Sequence, residues 1–304
     1  MEGATEKIWM DGEFLPWDEA KIHVLTHSLH YGLGVFEGIR CYKTNRGPAV
    51  FRLDEHMKRL CDSAHIVGLD IPFDQKVLTK AVLETIRANK VDACYIRPLV
   101  WLGYGSMGVN PAGAPVRTMI AVWKWGAYLG EEGLSKGIRV KVSSFTSHHP
   151  NSYMTGAKTT GNYAVSQLAK MEAVQSGFDE ALMLDPEGFV TQGSGENIFL
   201  VRDGVLKTPP LQGILRGITR ETVIYLAREQ GLEIEVEAFA RDEVYVADEA
   251  FFTGTAAELT PIREVDNRMI GDGKPGPITK RLQDAFFAVV NGRDEGHLGW
   301  LTTV

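Results

Sequence analysis

Lys158 stands in a run of small residues, Met154-Thr155-Gly156-Ala157-Lys158-Thr159-Thr160-Gly161-Asn162-Tyr163, which leaves room for a bulky group beside its ammonium. Val165, Leu168 and Ala169 then recur at helical spacing and Gly177 is a natural stop, so the lysine precedes a helix. An amine drawn out of water there holds its proton less tightly, and the free base attacks carbonyls. Tyr163, five residues on, adds a phenol. Taken alone, such a lysine reads as a solvated loop residue. Its company elsewhere in the chain decides otherwise.

Arg59 lies beside the apolar stripe Met57, Leu60, Cys61 and Ala64 of a helix expected over 54–66, with Asp54 as its N-cap. It is placed either to snorkel to solvent or to meet an anion. Leu215-Arg216-Gly217-Ile218-Thr219-Arg220-Glu221 leads a second helix, with Thr219 the expected N-cap and Gly231 the stop; free amides and the helix dipole favour an anion there. Thr253-Gly254-Thr255-Ala256-Ala257-Glu258 is a small-residue turn able to offer backbone amides. A lysine, a phenol, an arginine and amide-rich turns are the parts of a pyridoxal-phosphate site. The lysine binds the aldehyde as an imine, the phenol bonds the ring hydroxyl, and amides with an arginine hold the phosphate.

Three competing motifs fail on context. His23, His27 and His30 lack the HExxH pattern, because Val24 follows His23, and no fourth ligand is evident, so no metal is expected. Gly103-Tyr104-Gly105-Ser106-Met107-Gly108 matches a dinucleotide fingerprint, but Pro111 and Pro115 break the helix that fingerprint must open. Ser194 is no nucleophile elbow, since Gln192 stands where glycine is needed.

The elements that position these residues follow from punctuation and periodicity. A hairpin is expected over 7–17 around Asp11-Gly12, a strand over 38–42, helices over 54–66 and 74–88, and strands over 93–101 and 118–125. Later strands fall at 138–145, 180–184 and 189–192, with a hairpin of 198–202 and 205–208 around Asp203-Gly204 and a last helix from Pro277 to near Gly292. The 304 residues suit two domains: 1–125, a glycine-rich linker 126–137, and 138–304.

A net charge of −7, from 32 basic and 39 acidic residues, argues against a nucleic-acid surface and for a small-molecule ligand. Cys41, Cys61 and Cys94 are odd in number and far apart, as in a reducing compartment. No run approaches the ~20 apolar residues that cross a bilayer, and the N-terminal stretch has no apolar segment of a secretory signal. A cytoplasmic protein without membrane or nucleic-acid partners is expected.

Several segments, in this order, carry a likeness to a known family: His30-Tyr31-Gly32 with Val35-Phe36-Glu37-Gly38-Ile39-Arg40, Tyr95-Ile96-Arg97-Pro98, Gly126-Ala127-Tyr128-Leu129-Gly130, Ala157-Lys158 with Gly161-Asn162-Tyr163, Gly217-Ile218-Thr219-Arg220, and Gly254-Thr255-Ala256-Ala257-Glu258. The chain resembles the class IV pyridoxal-phosphate-dependent aminotransferases, and among them the bacterial branched-chain enzymes, over nearly its whole length. The resemblance implies fold type IV, an α+β or α/β two-domain architecture with a small N-terminal α/β domain and a larger C-terminal domain on a β-barrel-like sheet. It implies at least a homodimer. It also implies reversible ping-pong transfer of amino groups from valine, leucine and isoleucine to 2-oxoglutarate, giving branched 2-oxo acids and L-glutamate.

By the same resemblance, Lys158 is the catalytic lysine that binds pyridoxal 5′-phosphate and moves the proton. Tyr163 bonds the ring oxygen, Arg59, Ile218, Thr219 and Thr255 hold the phosphate, and Leu215 packs on the ring. Gly38, Phe36, Trp125 and Tyr128 line the substrate pocket. Tyr95, Arg97 and Gly254, Thr255, Ala256 and Ala257 handle carboxylates, and Tyr31, Met107 and Val109 come from loops at the dimer interface. Arg97 with Tyr31 is the pair suited to glutamate's distal carboxylate.

One departure stands out. The family places glutamate against the pyridine nitrogen, where this chain has Gln192, which carries no charge to stabilise a pyridinium. The expectation is that Gln192 still lies near that nitrogen but weakens the electron sink. The loop 210–214 also runs about one residue shorter than the family's. Alternatives within the class are a D-amino acid or (R)-amine transaminase and an aminodeoxychorismate lyase. Outside catalysis, Gln192 alone supports a decayed pyridoxal-phosphate-binding protein.

Overall fold

The computed structural model describes residues 3–126 and 128–304; Met1, Glu2 and Ala127, the last inside the expected linker and the family segment at 126–130, lie outside the described residues. The chain forms two compact units. One comprises Met1–Trp125, Ala157–Gly161 and Val289–Val304, the other Gly126–Gly156 and Asn162–Ala288.

In the first unit an antiparallel sheet runs in the order Leu301–Thr303, Gly47–Phe51, Ile39–Thr44, Cys94–Leu102, Val116–Trp123, Lys7–Met10, Glu13–Pro16, with Gly34–Phe36 also pairing on Cys94–Leu102. Asp11 and Gly12 take the positive φ values, 49° and 101°, that the first hairpin's turn demands. Helices Leu53–Ile66 and Gln75–Asn89 bury Met57, Leu60, Leu78, Val82 and Ile86 in one core with Val50, Ile96, Ile120 and Val122. Asp74 caps the second of these, accepting the Val77 amide at 2.8 Å. Asp54 does not cap the first, which starts at Leu53 after Arg52 in the left-handed region (φ 50°). Asp54 and Glu55 instead occupy its first turn, where the dipole favours their charge.

The second unit holds a closed ring of six strands. Val190–Gly193 pairs with Glu180–Leu184, then Ile138–Thr146, Glu258–Val265, Glu249–Gly254 and Asn197–Arg202, which returns to Val190–Gly193. Val140, Leu182, Ile198, Leu200, Phe252 and Ile262 form its core. Closure rests on the facing pair Gln192 and Asn197, so two polar residues sit where the barrel shuts. Helices Tyr163–Gln175 and Ile218–Glu229 belong to this unit.

Two boundaries differ from the sequence expectation. Helix Gly130–Lys136 occupies most of the expected linker, with Glu131 and Glu132 in its first turn and Lys136 in its last, charges that suit its dipole. Residues 289–304, expected with the C-terminal domain, belong to the first unit, because Leu301–Thr303 adds a strand against Gly47–Phe51. Three residues after a short helical turn give too little pattern to be read as a strand.

Candidate active site

In the first unit one strand end and one helix face hold Lys158 and Arg59, two of the three cations singled out from sequence. The Lys158 amide donates to Ser63 Oγ at 3.0 Å, and its carbonyl accepts the Phe36 amide at 3.0 Å. Val35 bridges to Thr159 as in an antiparallel pair. The lysine's backbone is therefore pinned from both sides, while its half-buried side chain places Nζ 4.9 Å from the centre of the Phe36 ring.

His56, Arg59 and Ser63 share one face of helix Leu53–Ile66 by their i, i+3, i+7 spacing. Arg59 grips Glu37 with two donors, Nε to Oε1 at 2.6 Å and Nη2 to Oε2 at 2.9 Å. His56 Nδ1 lies 2.7 Å from Glu37 Oε2, and the Gly38 amide donates to the same oxygen at 3.3 Å. Glu37 is wholly buried. Burial pushes its carboxyl up, but the Arg59 guanidinium and the His56 contact outweigh that and hold it well below the usual carboxylate range. Burial pushes His56 down, against the pull of Glu37, so it donates to the carboxylate as a neutral ring.

Next to this cluster lies an aromatic cage. The Arg97 guanidinium sits 4.7 Å from the Phe36 ring centre, 5.5 Å from Tyr95 and 5.8 Å from Trp123. Tyr95 packs edge-on to Trp125 at 4.7 Å. Gly38 is required here, because a Cβ would collide with the Tyr95 hydroxyl. Arg97 Nε is buried without a hydrogen-bond partner, so this cation surrounded by π-faces suits an incoming carboxylate.

In the second unit Gln192 Oε1 accepts the Leu215 amide at 3.3 Å and Asn197 Nδ2 donates to the Leu215 carbonyl at 3.1 Å. The two facing barrel residues clamp both sides of one peptide segment. Gly217 follows, and a Cβ there would strike Asn197 Oδ1. Helix Ile218–Glu229 then begins with Gly217, not Thr219, as N-cap, in extended conformation and with no side-chain cap. Thr219 is its second residue, and the clamp on Leu215 holds the segment that leads into it. Ile218 and Thr219 are buried, so their amides form an uncapped, buried helix start that calls for an acceptor.

Tyr163 opens helix Tyr163–Gln175 half-buried, and Gly254, Thr255 and Ala256 are half-buried at the end of strand Glu249–Gly254, with Ala257 buried. Tyr128 is exposed, 5.4 Å from Lys170 Nζ. In the first unit Tyr31, Met107 and Val109 are exposed, and the Tyr31 hydroxyl accepts the Gly108 amide at 2.9 Å. The glycine run 103–108 opens no helix.

The three histidines each bond the backbone instead of one another: His27 Nε2 with the Gly108 carbonyl, His30 Nε2 with the Val24 carbonyl, and His23 Nδ1 with the Leu25 amide. Among the described residues no group of three side chains could hold a metal ion. Glu37, His56, Ser63 and Asn197 were not singled out from sequence. The helical spacing of His56, Arg59 and Ser63 was a readable signal for two of them.

Comparison with known proteins agrees with this chemistry. The model of the amino-transferase class IV family matches residues 34–265. A branched-chain-amino-acid aminotransferase of Pseudomonas aeruginosa is 54% identical over 297 residues, covering 98% of this chain and 97% of that protein. The solved branched-chain amino acid aminotransferase of Escherichia coli is 47% identical, with a TM-score of 0.96 over 98% of this chain and 99% of that one. The branched-chain amino acid aminotransferase of Thermobaculum terrenum, solved in its PLP-form (holo-form), is 38% identical, with a TM-score of 0.92 over 99% of each chain.

Proposed function

The chain belongs to the class IV aminotransferases, and we propose that it exchanges amino groups between branched-chain L-amino acids and 2-oxoglutarate with pyridoxal 5′-phosphate as cofactor. The observation that carries this reading is the pinned Lys158, fixed through both its peptide groups by the strand of Phe36 and the helix of Arg59. The likeness to relatives that bear the branched-chain name favours it over the other class IV activities.

The donor set fits the cofactor. The arginine of the first unit and the buried, uncapped helix start of the second are each a group that binds phosphate. In this reading Arg59, Ile218, Thr219 and Thr255 hold the phosphate, Leu215 packs on the ring, Tyr163 bonds its oxygen and Gln192 lies toward its nitrogen. When bound, pyridoxal phosphate supplies an electron sink for the carbanion formed at the substrate's Cα. With the cofactor bound, Lys158 would take the Cα proton as a base and give it up as an acid at the cofactor's aldehyde carbon rather than back at Cα. Phe36, Gly38, Trp125 and Tyr128 line the space for a branched side chain. Tyr95, Arg97 and residues 254–257 orient carboxylates, with Arg97 and Tyr31 receiving glutamate's distal one.

Met107 and Val109 belong, with Tyr31, to an apolar surface that we assign to a second copy of the chain. Leu29 and Val109 are 63% and 89% exposed there, and a half-open pocket of about 320 Å³ lined by Ile22, Leu29, Leu99, Trp101 and Met119 lies in the same unit. Exposed apolar surface of this kind is a usual mark of an interface. Sedimentation of the purified protein tests this, a monomer being the contrary outcome. The three unpaired cysteines support a cytoplasmic setting, and no helix among the described residues is long and apolar enough to cross a membrane.

The activity is tested by following L-glutamate made from 2-oxoglutarate. L-leucine, L-isoleucine and L-valine are expected to serve as donors, while D-alanine and (R)-1-phenylethylamine are not. Turnover of only the last two would assign the chain to another class IV activity.

A further inference from the structure

We infer that Glu37 and His56 are positioning residues for anion capture: they lock the Arg59 guanidinium in the one orientation in which it meets the cofactor's phosphate. The inference rests on the reading of Arg59 as a phosphate ligand.

The geometry carries it. A guanidinium is a rigid planar fork with five N–H donors. Glu37 engages two of them, on Nε and Nη2, and fixing those two fixes the direction of the whole plane. Glu37 is held in turn by two donors from Arg59, one from His56 Nδ1 and one from the Gly38 amide, so its carboxylate has no freedom to swing. Its main chain is tied as well, the Glu37 amide donating to the Pro98 carbonyl at 2.9 Å.

The cluster adds orientation, not charge. One carboxylate and one guanidinium cancel, and the neutral His56 leaves the sum unchanged. A flexible surface arginine would present a full positive charge without the cost of burying an acid, a cost that only good geometry offsets. What the burial secures is a fixed span between two groups. Arg59 lies one helical turn before Ser63, which holds the Lys158 amide, and Glu37 follows Phe36, which holds the Lys158 carbonyl. The same strand and helix thus set the positions of the amine that takes the aldehyde and the guanidinium that takes the phosphate.

The test compares pyridoxal 5′-phosphate with pyridoxal, which lacks the phosphate, in reconstitution of the full-length apo protein, read as growth of the visible band of the Lys158-bound cofactor. Wild type is expected to prefer pyridoxal 5′-phosphate strongly. Glu37→Gln is expected to lower that preference about tenfold or more, with pyridoxal affinity unchanged. His56→Asn, which keeps a donor where Nδ1 stands, is expected to retain the preference, and His56→Leu to lose part of it. Arg59→Lys, which keeps the charge but not the fork, is expected to lose about as much as Glu37→Gln.

Should Glu37→Gln fold poorly, the double variant Glu37→Gln/Arg59→Gln removes both buried charges. Its preference is expected to equal that of Arg59→Gln alone, because Glu37 acts through Arg59. Equal loss of both affinities in Glu37→Gln, no loss, or a further loss of preference in the double variant beyond Arg59→Gln would overturn the inference. A wild type that forms no visible band with either aldehyde would instead defeat the pyridoxal-phosphate reading itself.

Discussion

The two units hold their candidate site residues by opposite means. In the first, a fully buried acid grips an arginine and the lysine's backbone is tied to the same strand and helix, so charge is the scaffold. In the second, two neutral amides clamp one peptide, a glycine makes room for one of them, and the uncapped start of a helix results. Charged side chains are gripped where a long, flexible residue must point one way; neutral ones suffice where the backbone itself presents the donors. The comparison also gives Gln192 an occupation. Its oxygen accepts the Leu215 amide, a role that a glutamate could fill equally, so the neutral residue keeps the turn's geometry while giving up the charge.

The largest effect expected on the charged side is that of Lys158→Ala. Transamination of L-leucine should fall by about a thousandfold or more in steady-state assays, with the visible cofactor band lost. A smaller fall would mean that the pinned amine is not the base. Arg97→Leu comes next: KM for 2-oxoglutarate should rise about 10- to 100-fold, the worth of a charge-assisted bond, while KM for L-leucine moves less. Equal changes in both would take the aromatic-caged arginine out of distal-carboxylate recognition.

On the neutral side, Gly217→Ala should cost about 1–3 kcal/mol in denaturant unfolding and weaken pyridoxal 5′-phosphate binding, because the new Cβ displaces Asn197 and with it the helix start. Unaltered cofactor affinity would show that the clamp does not set the phosphate-binding amides. Gln192→Glu should speed the half-reaction with L-leucine about tenfold, the equivalent of one pKa unit at the ring nitrogen, with stability little changed. A rate equal to wild type would remove Gln192 from the electron sink.

The smallest effect is one of pH. His56 is pushed below its ordinary 6.5 by burial, so below that pH the unfolded chain binds a proton that the folded one does not, and stability falls with falling pH. Glu37, held below its ordinary 4.5, adds a further loss under that value, again because the unfolded state takes up the proton first. The melting temperature should therefore fall from pH 7.5 to 5.5. His56→Asn should flatten that stretch and leave the loss below 4.5 in place.

Much of this was legible in the sequence where the signal was local. The hairpin turns at Asp11-Gly12 and Asp203-Gly204, the strand 180–184, and the broken helix after 103–108 each follow from residues within a few positions. The family, too, could be named from short motifs. What was not legible depends on partners distant in the chain. Glu37 meets residues 19 and 22 positions on, and Asn197 meets Leu215 and Gly217. Thr219 fitted the capping rule, yet the cap is Gly217, where Asn197 leaves no room for a side chain. Leu301–Thr303 shows its strand character only beside Gly47–Phe51.

The most direct test records the visible spectrum of the cofactor-loaded protein while L-leucine is added without an oxo-acid acceptor. The account expects the band of the Lys158-bound cofactor to give way to the near-ultraviolet band of pyridoxamine phosphate and to return when 2-oxoglutarate follows. A band left unchanged by L-leucine, L-isoleucine and L-valine, in Gln192→Glu as well as in wild type, would contradict it.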